Sequence, residues 1–185
     1  MTPTIEIYKQ EADIPKVLHQ QILDFLRIVW NDGFTEKNLF RTWICRKEFN
    51  PVFFLLTSQN ILISHLCVVH QQLTHANESF NTYGLSGVFT YPQFRKQGYG
   101  LQLVRAATDF IQNTNADIAL FTTTTHNFYE KAGYIRMEQT RLLHGDKSNP
   151  QLYTEETYMQ FISAKGKQHK NSFDKATMYI GEHVW

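Results

Sequence analysis

The sequence predicts an α+β fold: a mixed, mostly antiparallel central sheet with helices on both faces. Three observations predict it. Apolar residues recur at helical spacing over residues 14 to 30 and again over 98 to 113. Between those helices lie three runs of strand length, separated by short polar turns, which is the grammar of a meander. Past the second helix the chain returns through a strand with no charge after Asp117 and two further strand-like runs.

Taken in order, "TIEIYK" is a short strand. Asp13 offers an N-cap for the first helix, and Pro15 suits its first turn. Val17, Leu18, Ile22, Phe25, Leu26 and Val29 form the apolar stripe of that helix, and "NDG" at 31 to 33 stops it. A second short helix is expected over 35 to 44, capped by Thr35. "PVFFLLT" (51 to 57) is an apolar strand. A tight turn around "SQN" leads into "NILISHLCVVHQQL" (60 to 73). "HANESFN" turns the chain again before the third strand, "TYGLSGVFTY" (82 to 91). In the helix 98 to 113, Leu101, Val104, Ala107 and Ile111 line one face, widened by Leu103 and Phe110. "DIALFT" (117 to 122) is a buried strand. "HNFYEKAG" is a short helix ended by Gly133 at the position just past its C-cap. "YIRMEQTRLLH" and "TYMQFIS" are two more strands joined by the loop "GDKSNPQ", and the tail from 164 is polar at first.

Composition narrows the function classes. A chain of 185 residues with 42% hydrophobic and 14% aromatic residues has enough apolar material for one globular domain spanning 1 to 185. A net charge of +1 gives no field for nucleic acid, so no nucleic-acid partner is expected. No apolar run approaches the roughly 18 residues of a membrane helix, and "MTPTIEIYKQEAD" has no signal core. A soluble, cytoplasmic protein with no membrane partner is the expectation. Cys45 and Cys67 lack metal-ligand spacing and are read as free thiols, with no metal expected. "NES" at 77 to 79 fits a glycosylation sequon but reads as a polar turn.

The segment "FRKQGYG" (94 to 100) carries the first chemistry. A glycine-rich turn at a helix N-terminus leaves amide N–H groups pointing outward, and the helix dipole adds partial positive charge. Gly98 and Gly100 let an anion approach the backbone with no Cβ in the way, and Arg95 and Lys96 neutralise it. The loop suits a pyrophosphate; an ordinary surface turn with two solvated cations is the alternative. It is neither a P-loop nor a complete dinucleotide fingerprint.

About thirty residues on stands "FYEKAGY" (128 to 134). Arg-x-x-Gly-x-Gly, a helix, a strand and then this motif resemble the GNAT superfamily of N-acetyltransferases over roughly residues 4 to 162, leaving a C-terminal segment of 163 to 185. "GFTEKNLFRTW", "GLSGVFTYPQFRKQG" and the terminal "HVW" look like the aminoglycoside 2'-N-acetyltransferases within it. The resemblance implies acetyl-CoA as cosubstrate and a small-molecule amine as acceptor, attacked directly in a ternary complex. It implies a link to antibiotic resistance and a family in which homodimers are common. Neither motif contains a cysteine, so no acyl-enzyme nucleophile is evident.

Residue by residue, the resemblance implies that the backbone of Val88, Phe89 and Thr90 holds pantetheine, with the Val88 N–H as oxyanion donor. Arg95, Lys96, Gln97, Gly98, Tyr99 and Gly100 take the pyrophosphate. Tyr129 is the general acid for the departing thiolate, since a phenol with a pKa of about 10 is protonated at neutral pH. Phe128 and Tyr134 are packing residues. Ser86 stands where the aminoglycoside enzymes carry a glutamate base, and a serine can only position a water. His70, His183 and the Trp185 carboxylate are the other base candidates. For a cationic acceptor the carboxylates would come from Asp32, Glu155, Glu156 and Trp185, although Gly33 rather than Asp32 matches the family position. A CoA-binding regulatory module and a longer-chain acyltransferase, as in the nodulation N-acyltransferases, are the alternatives.

Overall fold

The computed structural model describes residues 2–125 and 127–182. Their chain order is β1 (Thr4–Tyr8), α1 (Lys16–Val29), β2 (Val52–Ser58), β3 (Ile61–His75), β4 (Glu78–Thr90), α2 (Tyr99–Gln112), β5 (Ile118–Thr123), β6 (Ile135–Arg136), β7 (Arg141–His144), β8 (Gln151–Leu152), β9 (Glu156–Phe161), α3 (Ala164–Phe173) and β10 (Thr177–Tyr179). The expected mixed, mostly antiparallel sheet is present. Contacts divide the chain into two units, Met1–Val69 with Ser86–Leu103, and His70–Leu85 with Val104–Trp185.

In the first unit the strands lie in the order β1-β2-β3-β4. Antiparallel ladders set Ile7 opposite Phe54 and Phe54 opposite Leu66. Phe53, Phe54, Leu55 and Leu56 are all fully buried, so β2 is covered on both faces and its apolar run does not alternate. Helix α1 buries Leu18, Ile22, Leu23, Phe25 and Leu26. Val17 and Val29, expected in that stripe, are 51% and 47% exposed, and Leu23 takes their place. The N-cap is Pro15, whose carbonyl accepts from the N–H groups of Leu18 and His19. Asp13 instead closes a separate 3-10 turn, Glu11–Asp13.

No α-helix forms over 35 to 44. Two 3-10 turns, Asn31–Phe34 and Glu36–Asn38, carry the chain into a segment tied down by Arg41. Its guanidinium donates to the carbonyls of Trp43 (2.7 Å) and Ile44 and lies 3.9 Å over the Trp43 ring and 4.8 Å from Phe34. Arg27 reaches the Arg41 carbonyl at 3.0 Å. Leu39 and Phe40 stay exposed, leaving no apolar face for a helix to bury.

Two-residue turns with left-handed backbone join the meander: Gln59 and Asn60 between β2 and β3, Ala76 and Asn77 between β3 and β4. The second is shorter than the turn read over "HANESFN", so β3 runs to His75 and β4 starts at Glu78.

In the second unit β3 and β4 are followed by β5, β9 and β6, and a small sheet has the order β10-β7-β8. Strand β4 pairs in parallel with β5 at Thr82–Ile118 and Tyr83–Ala119, and β5 runs antiparallel to β9 throughout. The single strand expected over "YIRMEQTRLLH" is two strands in different sheets. Between them Met137 donates its N–H to Thr157 and Thr140 sends its hydroxyl to the Phe173 carbonyl, which bends the chain away. The polar tail holds a helix that periodicity does not reveal. Ser163 caps α3 by accepting from the Gly166 N–H, and Phe173 joins a core with Phe80, Ile118, Met159 and Phe161. The short helix of "HNFYEKAG" is a 3-10 turn, Tyr129–Ala132, ended as expected by Gly133 at φ 87°.

Candidate active site

Strand β4 leaves regular geometry at Gly87, whose φ of 57° lies in the left-handed region. A glycine inside a strand marks such a break. Two successive side chains of β3 bind the carbonyls there. The His65 Nδ1 lies 2.9 Å from the Gly87 oxygen, and the Ser64 hydroxyl donates to the Phe89 oxygen at 2.7 Å. Ser64 also contacts the Thr90 hydroxyl at 3.0 Å. Phe89 is buried, stacked on Phe25 at 4.1 Å and beside His65 at 5.2 Å; Ser86, Val88 and Thr90 are half-buried. Neither His65, Ser64 nor Gly87 figures in the sequence reading. The glycine within "GLSGVFTY" is the one signal that marked the spot.

The loop that follows is built from backbone turns. Pro92–Phe94 is a 3-10 turn, and Arg95 Nε donates to the Thr90 carbonyl at 3.0 Å, tying the loop to the end of β4. Lys96 has φ 62° and Gly98 φ 83°, with Gln97 between them. Such alternation turns successive amides toward one side, the geometry of an anion nest. The first helical bond of α2 runs from the Gln102 N–H to the Gly98 carbonyl, so the N–H groups of Tyr99, Gly100 and Leu101 precede the helical ladder. No atom lies within 4 Å of where a Gly98 Cβ would sit, and Arg95, Lys96 and Gln97 are exposed. The expected pyrophosphate residues are therefore collected at one open helix start.

The second chemical group lies in the other unit. Tyr129 is 5% exposed, within 4.6 Å of the Phe121 ring and 4.9 Å of Phe128. Burial pushes its phenol up to about 12, opposed by a hydrogen bond with Thr123 and aided by the negative charge of Glu155. The phenol is thus a proton carrier at neutral pH. Tyr134 is buried and accepts from the Thr108 hydroxyl at 3.1 Å, the packing role expected of it.

The model of the acetyltransferase (GNAT) domain matches residues 14–137. That span covers the α1 helix, the β4 break, the nest and Tyr129. The chain belongs to the GNAT acetyltransferase family. GNAT enzymes are acyltransferases whose usual donor is acetyl-CoA. No curated protein matches the sequence. Among solved structures, a GCN5-related N-acetyltransferase from Kribbella flavida is 17% identical with a TM-score of 0.55; the match covers 72% of this chain but only 34% of that one. A GNAT-family acetyltransferase from Staphylococcus aureus Mu50 is 16% identical, TM-score 0.54, over 86% of this chain and 100% of that one. An aminoglycoside 6'-acetyltransferase type Ii is 16% identical, TM-score 0.58, over 86% and 97%. At these identities the likeness is one of GNAT fold.

The remaining expected residues fall in both units. Asp32 is exposed on the Asn31–Phe34 turn of the first unit. Glu156 is half-buried in a 2.5 Å ion pair with Arg136, while Glu155 is exposed and raises the pKa of Tyr153 as well as that of Tyr129, adding to burial in both. Both glutamates line a groove of about 370 Å³ with Arg136, Arg141 and Tyr153. His70 packs on Tyr83 at 4.7 Å, and its buried Nε2 has no hydrogen-bond partner among the described residues. His183 and Trp185 lie outside the described residues. Among the described residues there is no cluster of metal-ligating side chains, and no helix is long and apolar enough to cross a membrane.

Proposed function

We propose that this GNAT protein transfers an acetyl group from acetyl-CoA to a primary amine of a small molecule, by direct attack in a ternary complex. The single observation that carries the reading is the open nest at Lys96–Gly100, with positive φ at Lys96 and Gly98 and free space over Gly98. The amides of 98 to 101 hold the pyrophosphate, and Lys96 and the outer nitrogens of Arg95 neutralise it. The backbone of Val88, Phe89 and Thr90 holds pantetheine, and the Val88 N–H donates to the oxyanion of the tetrahedral intermediate. Tyr129 gives its proton to the departing thiolate. Ser86 orders a water that takes the amine proton.

Glu155 supports a cationic acceptor, because its charge already acts on the candidate acid Tyr129. Asp32, Glu156 and the Trp185 carboxylate join it as acceptor-side anions, and an aminoglycoside-like polyamine is the acceptor class we favour. The protein acts in the cytoplasm, as a single domain that self-associates, with neither nucleic acid nor membrane as partner.

The test is thiol release from acetyl-CoA across a panel of amines, aminoglycosides included, alongside calorimetry with CoA. Turnover with an amine supports the reading. CoA binding with no turnover of any amine favours a CoA-binding regulatory module, for which Ser86 in place of a glutamate is the motivating residue. Turnover restricted to longer acyl-CoA donors favours an acyltransferase of wider specificity. Absence of CoA binding removes all three.

A further inference from the structure

Within the first unit, the donor to the Gly87 carbonyl is an imidazole with no access to water: His65 is 0% exposed. A carbonyl oxygen can only accept, so the proton of the neutral ring sits on Nδ1 and points at Gly87, 2.9 Å away. The bare Nε2 then faces the Cys67 sulfur at 3.6 Å, where the thiol is the donor. Burial keeps this arrangement neutral, lowering the imidazole to about 4, and raises the Cys67 thiol well above its usual value. The Gly87 carbonyl thus fixes the tautomer, and the Cys67 sulfur is compatible with it.

The Gly87 carbonyl and the Val88 N–H are two ends of one peptide group. In a trans peptide they point in opposite directions. Whatever fixes the carbonyl therefore aims the N–H. That fixing is needed here, because Gly87 at φ 57° has left the regular strand and glycine is the least restrained residue. A hydrogen bond to the carbonyl also polarises the peptide and strengthens its N–H as a donor. Phe89, stacked between His65 and Phe25, holds the ring from the side.

We infer that His65 is the positioning residue of the oxyanion donor: through Nδ1–H and the Gly87 carbonyl it aims and strengthens the Val88 N–H. This rests on the acyl-transfer reading above, and it adds a side chain to a step otherwise assigned to backbone alone.

The experiment compares His65→Asn, whose amide nitrogen reaches the place of Nδ1, with His65→Leu, which has no donor. With acetyl-CoA and the best amine, His65→Leu lowers kcat by roughly tenfold or more, a fraction of the hundredfold or greater loss from deleting an oxyanion donor. His65→Asn stays within about threefold of wild type, and both bind CoA within about twofold of it, since the nest is untouched. The Val88 amide resonance moves in His65→Leu and returns toward its wild-type position in His65→Asn.

Equal kcat in His65→Leu and wild type, equal losses in the two variants, or an unmoved Val88 resonance each overturn the inference. The resonance needs no turnover. If wild type acetylates no amine, the proposed function falls while the Val88 signal still decides the role of His65. Should His65→Leu not fold, the wild-type spectrum decides: a proton on Nδ1 with a coupling to the Gly87 carbonyl supports the inference, and a proton on Nε2 overturns it.

Discussion

His65 makes stability depend on pH in a way that can be isolated. Its imidazole is fully buried and held at about 4, against an ordinary 6.5. Burial is the main cause, opposed by the bond to Gly87. The folded value is depressed, so its contribution is present above 6.5 and is lost as pH falls toward 4. In that window the unfolded chain binds a proton that the folded chain refuses, and stability falls by up to about 1.4 kcal/mol per pH unit. Integrated from pH 7 to pH 4.5, the loss is about 2 kcal/mol. Every other ionisable group is common to wild type and His65→Asn. Cys67, facing Nε2, stays a thiol throughout because burial raises it. The assay is urea unfolding of both proteins at pH 7 and pH 4.5. His65→Asn is less stable at pH 7, from its altered packing, and the gap closes by about 2 kcal/mol at pH 4.5. Two curves that stay parallel would refute the reasoning, since they would mean that His65 is protonated as easily in the fold as outside it.

Three other outcomes are expected. Tyr129→Phe keeps CoA binding but lowers kcat by roughly a hundredfold; because the phenol sits near 12, a wild-type rate that loses activity with an apparent pKa near the ordinary 10 would exclude Tyr129 as the proton donor. Gly98→Ala puts a Cβ into open space at φ 83°, so the fold loses only about 1 kcal/mol while CoA affinity in calorimetry drops by more than tenfold; unaltered affinity would move the phosphate site elsewhere. Gly166→Ala would set a Cβ 2.2 Å from the Asp117 carbonyl oxygen, so thermal unfolding should show a loss of about 2 kcal/mol or more, and a neutral result would mean that α3 shifts freely on β5.

What the sequence revealed tracks what local physics determines. Periodicity found α1 and α2, and the apolar runs found β2, β3 and β5, because burial repeats with the pitch of each element. The open turn before α2 was legible as a candidate anion site since glycine and cations at a helix start are a local signal. Periodicity failed where packing partners decide. Over 35 to 44 the chain forms turns because Leu39 and Phe40 find nothing to bury against, which no spacing rule anticipates. Helix α3 has a weakly apolar sequence, and its anchors, the Ser163 cap, the Lys165 and His169 contacts with Glu78 and the buried Phe173, meet their partners only after folding. His65 was hidden for the same reason: within "ILISHLCVV" it is one polar residue in a buried strand, and its use depends on a glycine 22 positions later.

The backbone itself separates a working loop from a decorative one. Left-handed residues other than glycine cost roughly 1 kcal/mol or more, so each needs a cause. Hairpin turns account for Gln59, Asn60, Ala76 and Asn77, and helix ends account for Asn50 and Gly133. Lys175 likewise follows the end of α3, and Asn127 lies in a turn before Tyr129–Ala132, whereas Lys96 precedes a helix that could start without it; Gly87, which as a glycine bears no such cost, turns left-handed inside a strand. Gly87 and Lys96 both re-aim amides, one at a single N–H after a clamped carbonyl, the other at a row of N–H groups opening α2. An acyl-CoA needs an oxyanion donor for its carbonyl and a cradle for its diphosphate. On the proposed function, the left-handed backbone at Gly87 and Lys96 falls at the two places where such a substrate would make its strongest demands on a main chain.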